Sequence, residues 1–161
     1  MTGIYKEPVD EIRIRKFFVE GDHVMDSKIH GGEDKAVYGY PNEHYDFWRA
    51  AYPSVPMSWG MFGENITTDG MYEGVTDIGA VYRIGNALLR VTAPRFPCYK
   101  LAARFDSADI IKHFLHSKKS GFYFTVVEEG VVKPGDRIVL EQAGDLHLSI
   151  EDVVNRRLQE E

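Results

Sequence analysis

The chain has a single cysteine among its 161 residues. An intramolecular disulfide is therefore impossible, zinc sites built on paired cysteines are excluded, and a reducing compartment is expected. Positive charge is also scarce: 19 lysines and arginines face 25 acids, a formal net charge of −6. That balance argues against general binding to nucleic-acid phosphates, which needs a basic face. No uninterrupted apolar run approaches the ~20 residues needed to cross a bilayer. The opening Met1-Thr2-Gly3-Ile4-Tyr5-Lys6-Glu7-Pro8 lacks the apolar core of a signal peptide. Internal repeats and low-complexity tracts are missing too. The expectation is one domain in the cytoplasm, without a membrane or nucleic-acid partner.

What is present is 43% hydrophobic and 27% charged, enough for one proper core. Residues 11–18 (EIRIRKFF) are β-rich, with Ile12, Ile14 and Phe18 at period two. Ala36–Tyr40 reads as a short strand ended by Pro41. Asn42 is suited to cap a helix carrying Tyr45, Trp48 and Tyr52 on one face, which reads as core packing. Residues 52–63 form a loop with two prolines and two glycines. Residues 80–92 form a hairpin around Gly85-Asn86, a pair suited to a II′ turn. Ser107 opens a helix to about Ser117, with Ile110, Ile111, Phe114 and Leu115 inward and His113 and His116 on the solvated side. Strands follow at 122–127 and 136–140. Ser149 opens a last helix, with Asp152 placed for a capping box and Ile150, Val153, Val154 and Leu158 in an apolar stripe. The pattern predicts a mainly β fold: an antiparallel barrel over 1–148 with a few peripheral helices and a C-terminal helix over 149–161. The stripe is expected to be covered, by the barrel or by a second copy in a dimer, and to lie far from the site motifs.

Three segments carry more polar and conformationally permissive residues than a core needs. In Pro94-Arg95-Phe96-Pro97-Cys98-Tyr99-Lys100-Leu101-Ala102-Ala103-Arg104, two prolines fix φ ahead of the thiol. Arg95, Lys100 and Arg104 lie within six residues of it, with no acid between. Such cations favour the thiolate, the form that attacks electrophiles and binds soft metals. In Lys28-Ile29-His30-Gly31-Gly32-Glu33-Asp34-Lys35, paired glycines let backbone N–H groups approach an anion, with His30 and Lys35 adding charge. The Gly-Lys-Ser/Thr ending of a Walker loop is absent. In Gly63-Glu64-Asn65-Ile66-Thr67-Thr68-Asp69-Gly70, an amide and two hydroxyls are suited to orient a polar heterocycle. Glu64 and Asp34 are available for proton delivery, or simply as capping carboxylates. If the first two segments converge, an acidic protein carries one cationic pocket.

Together these segments resemble the MOSC domain family, named for the C-terminal domain of molybdenum cofactor sulfurase, and most of all its stand-alone bacterial branch. The residues that carry the resemblance are His30-Gly31-Gly32 with Asp34-Lys35-Ala36-Val37, Phe62-Gly63-Glu64-Asn65 with Thr67-Thr68 and Gly70, and Pro94-Arg95 with Pro97-Cys98 and Lys100-Leu101-Ala102. A fourth set is Gly121-Phe122-Tyr123 with Val127-Glu128-Glu129-Gly130 and Gly135-Asp136. Order and spacing fit from about residue 10 to residue 140. Ile29 and Glu33 depart from the family pattern, which often has a second histidine and a proline there. Residues 149–161 look like the first helix of a three-helix segment common in that branch.

The resemblance implies a barrel-like fold that binds the molybdenum cofactor. Cys98 would be the catalytic sulfur and molybdenum ligand. Lys35, Arg95, Lys100 and Arg104, with the His30-Gly31-Gly32 turn, would hold anionic cofactor groups, and Asn65 and Thr67 would orient the pterin. The implied activity is reduction of N-hydroxylated bases such as 6-hydroxylaminopurine, with electrons from a separate protein donor. The alternative is a sulfur carrier in which Cys98 bears a persulfide received from a cysteine desulfurase.

Overall fold

The computed structural model describes residues 6–21 and 32–160; His30 and Gly31 lie outside them. In chain order the described elements are β1 (Ile12–Ile14), a 3-10 turn (Glu33–Lys35), β2 (Val37–Pro41), α1 (His44–Ala51), β3 (Ile66–Thr68), β4 (Val81–Ile84), β5 (Ala87–Pro94), α2 (Tyr99–Phe105), α3 (Asp109–Ser117), β6 (Phe122–Glu128), β7 (Gly130–Val132), β8 (Ile138–Gln142) and α4 (Ile150–Gln159). Six strands form one curled half-barrel sheet in the order β3-β2-β6-β5-β4-β8, and β1 pairs with β7. The fold is mainly β, as the sequence predicts. One pairing departs from an all-antiparallel barrel: β2 and β3 run parallel, with Tyr40 opposite Thr67. The long connection through α1 makes that direction possible.

Alternation along β2 and β6 divides the interior in two. Val37, Phe122, Phe124 and Val126 face an aliphatic core shared with Ile84, Leu89, Val91 and Ile150. Tyr38, Tyr40 and Tyr123 face the other way, into an aromatic core with Tyr45, Trp48, Phe62, Phe105 and Phe114. Every residue of β2 is buried, so both faces of this strand are covered. Gly39 and Gly121 make the close approach possible: a Cβ on Gly121 would sit 2.6 Å from the Gly39 carbonyl oxygen, and its φ is +69°.

The 85–86 hairpin forms with positive φ at Gly85 only, as a II′ turn requires. Neither Asn42 nor Ser107 caps its helix. Glu43 precedes α1, Ala108 precedes α3, and neither helix receives a side-chain cap bond. The Asn42 amide instead donates to Asp69 and accepts from Trp59 Nε1, at 3.2 and 2.8 Å. His113 is not solvated but half-buried, bonded to the Tyr52 hydroxyl at 3.1 Å and edge-on to Trp48. α2 has no counterpart in the sequence reading, because the cysteine segment looks like a loop as far as Pro97.

Ser149 and Asp152 form a complete capping box on α4. The Ile150 N–H donates to the Thr76 carbonyl at 2.9 Å, and Ile150 and Val154 are fully buried against the sheet. Ile150 and Val154 are therefore covered by the domain itself, while Val153 and Leu158 stay half-buried. Val154→Asp is expected to lower stability by about 3 kcal/mol or more, because it buries a charge without a partner. Chemical denaturation checks this, and an unchanged midpoint would contradict it.

Candidate functional site

The aromatic-core face of β2 and β6 makes the floor of the site. Tyr38 and Tyr123 are directly opposed in the antiparallel register, with ring centroids 5.0 Å apart. The Tyr38 hydroxyl donates to the Ser120 carbonyl. The Arg95 guanidinium lies over Tyr38 at 4.8 Å, and the Lys35 ammonium lies 5.6 Å from the Tyr123 ring. Two cations thus rest on a pair of tilted, adjoining phenols, each attracted by a ring quadrupole.

Burial pushes both phenols up, and Arg95 offsets this only in part, so both stay protonated at neutral pH. Burial works against the charge on Arg95. It is outweighed by Tyr123 and Tyr38, then by Cys98 and Glu64, so the guanidinium stays charged.

The wall of the site is the 60–67 loop. Glu64 is buried, and its carboxylate accepts from the Phe62 N–H at 3.1 Å, the Thr67 hydroxyl at 3.0 Å and the Tyr45 hydroxyl. Glu64 is therefore the capping carboxylate of this loop. The Tyr45 hydroxyl also accepts from the N–H groups of Gly60 and Met61, at 3.1 and 3.2 Å. The Asn65 amide oxygen accepts from the Tyr38 N–H at 2.8 Å, and the Asn65 N–H donates to the Tyr38 carbonyl at the same distance. These bonds continue the β2–β3 ladder by one side chain. Arg95 joins wall to floor, donating from Nη1 to the Phe62 carbonyl at 2.6 Å.

Cys98 stands at the head of α2 in extended conformation, half-buried. Its carbonyl accepts from the Leu101 N–H at 3.0 Å, the first turn of the helix. Leu101 and Phe105 enter the aromatic core and anchor the helix. Lys100 is buried, and Arg104 directs Nε to Met61 Sδ at 3.3 Å. Gly32 precedes the 3-10 turn that ends in Lys35, with φ +86°.

The structure thus brings Lys35, Arg95 and Cys98 to the Tyr38–Tyr123 pair, and ties Arg104, Asn65 and Thr67 to the adjoining wall. The amide oxygen of Asn65 and the hydroxyl of Thr67 are committed to the protein rather than aimed outward. Tyr38 and Tyr123 were missed as site residues. Both are buried in the aromatic core, and Tyr40, Phe122 and Phe124 on the same strands carry the same local signal. Arg95→Lys is expected to lower stability by about 1–2 kcal/mol, because an ammonium cannot both cover Tyr38 and reach the Phe62 carbonyl in fork geometry. Denaturant titration reads this, and full stability in the variant would contradict the junction.

Residues 26–139 match the MOSC domain family. The Bacillus subtilis (strain 168) protein YflK is 40% identical over 151 residues, 93% of this chain and 68% of its own length. The Escherichia coli (strain K12) protein YiiM is 38% identical over 134 residues, 81% of this chain and 60% of its own. A Gibberella moniliformis (strain M3125 / FGSC 7600) protein named a reductase is 37% identical over 143 residues, and the chain spans 25% of it. The crystal structure of YiiM from Geobacillus stearothermophilus superposes with a TM-score of 0.86 at 38% identity, covering 99% of this chain and 75% of that one. With the family matched over most of its length and a YiiM fold throughout, the chain belongs to the MOSC domain family.

Proposed function

We propose that this chain binds the molybdenum cofactor and acts as a reductase, or as a component of one, on N-hydroxylated bases and related compounds. The observation that carries the reading is the donor set around the paired phenols Tyr38 and Tyr123. A half-buried thiol shares its surroundings with the Arg95 guanidinium, and Lys35 covers the second phenol. A thiolate suits a soft metal, and paired cations suit phosphate and oxo groups. The residues present therefore fit the group. The reductase name of the Gibberella relative supports the redox class.

In this reading Cys98 Sγ ligates molybdenum. Lys35, Arg95, Lys100 and Arg104 hold the anionic groups; His30 and Gly31, expected to join them, lie outside the described residues. Asn65 and Thr67 act by bracing the wall against which the pterin lies. The bound cofactor supplies two-electron chemistry. Reduction of R–NH–OH takes up two electrons and two protons, breaks the N–O bond and releases water with R–NH2. These 161 residues, with one cysteine, do not hold an iron–sulfur cluster, so the electrons are delivered from outside them, in this reading by a separate protein donor.

Molybdenum and pterin analysis of protein from a molybdenum-replete host tests the reading. About one metal per chain, lost in Cys98→Ser, is expected. Absence of both, even after reconstitution, overturns it. Incubation with a cysteine desulfurase separates the carrier alternative: a mass increase of roughly one sulfur atom on Cys98, without bound molybdenum, favours the carrier.

A further inference from the structure

We infer that the C-terminal helix latches the Cys98 segment through Arg157, which makes Arg157 a positioning residue for the thiol. Arg157 of α4 is distant from Cys98 in sequence but reaches its segment in space. The Arg157 guanidinium lies over the Phe96 ring, 5.4 Å from its centroid, and Phe96 is two residues before Cys98. Among the described residues no other aromatic ring pairs with Phe96. Its neighbour Arg95 is pinned elsewhere, by the Phe62 carbonyl and the Tyr38 ring. Consecutive side chains of one extended segment are therefore held apart, Arg95 to the wall and floor and Phe96 to the helix. Pro94 and Pro97 fix φ on either side, which narrows the ways the segment between them can rearrange. Cys98 is the last residue before α2 begins.

α4 is a firm anchor for this segment. Its first turn is held by the capping box and by Ile150 and Glu151 N–H bonds to Thr76 and Glu73, at 2.9 and 3.2 Å. Val154 is buried one turn before Arg157. Arg157 lies in the last turn, where a cation is also favoured by the helix dipole. Losing the contact frees Phe96 without unfolding the helix, and the segment then lifts and uncovers the sulfur. A cation–π pair at a partly exposed site changes such an equilibrium by about two- to fivefold.

The inference rests on Cys98 being the functional atom, but its test reads thiol exposure and needs no cofactor. Failure of either is thus visible separately from the other. Because the chain has one cysteine, alkylation by the neutral reagent iodoacetamide reports on Cys98 alone. Arg157→Gln and Phe96→Leu are each expected to speed alkylation about two- to fivefold, with melting temperatures close to wild type. Arg157→Lys should stay near the wild-type rate, because it keeps the cation. The double variant Arg157→Gln/Phe96→Leu should react no faster than the faster single variant, since both remove one interaction. Unchanged or slower alkylation in Arg157→Gln, or effects that multiply in the double variant, would overturn the latch.

Discussion

Glu64 carries a carboxylate into the edge of the aromatic core, where an unpaired charge would be costly. Three donors compensate it: the Phe62 N–H, the Thr67 hydroxyl and the Tyr45 hydroxyl. They arrive from the loop itself, from β3 and from α1, so one side chain fixes three elements relative to each other. Everything nearer the thiol depends on that fixation. The Phe62 carbonyl is held where Arg95 reaches it, and Arg95 leads directly into Phe96, Pro97 and Cys98. The carboxylate thus sets the position of a cation, and the cation sets the start of the cysteine segment.

The second requirement is a sheet buried on both sides. A strand with one wet face could not keep Tyr38 and Tyr123 dry while Phe122 and Phe124 fill the aliphatic core behind them. With both faces covered, the phenols become a low-dielectric floor on which cations are held by ring faces as well as by charge. The same geometry demands glycine at 39 and 121, where strand and turn come too close for a side chain. Gly121 also donates its N–H to Glu73 at 2.9 Å, and the other oxygen of Glu73 meets His44 Nε2 at 2.7 Å. Two hydrogen bonds through the Glu73 carboxylate thereby join the start of α1 to the start of β6.

Much of this was legible in the sequence, for reasons that differ between residues. Period-two spacing marks β1, the Gly85-Asn86 pair marks the β4–β5 hairpin, short apolar runs mark β2 and β6, and the Ser149–Asp152 spacing marks the α4 cap. Motif order located the cysteine segment and the 63–70 loop. What could not be read was which polar groups the protein uses on itself. Asn65 and Thr67 carry the right chemistry for a ligand, but the backbone of β2 and the carboxylate of Glu64 take it up, and both partners are distant strands or loops. α2 was hidden because Pro94 and Pro97 dominate the local signal while its helical run is only seven residues. His113 was misread because its face is apolar only in the presence of α1, which supplies Trp48 and Phe47. The contact of Arg157 with Phe96 joins residues that no local pattern relates.

The central claim is that the Glu64 carboxylate holds the wall that positions Arg95 beside Cys98. Residue-resolved amide hydrogen exchange in the wild type and in Glu64→Gln tests it most directly. A glutamine retains one acceptor oxygen where the carboxylate has two, and its amide nitrogen cannot accept from the Phe62 N–H or the Tyr45 and Thr67 hydroxyls. The account predicts that protection falls at Phe62, Gly60 and Met61 by about tenfold or more, while amides of β5 and β6 keep theirs. Wild-type protection across the 60–67 loop in Glu64→Gln would contradict it.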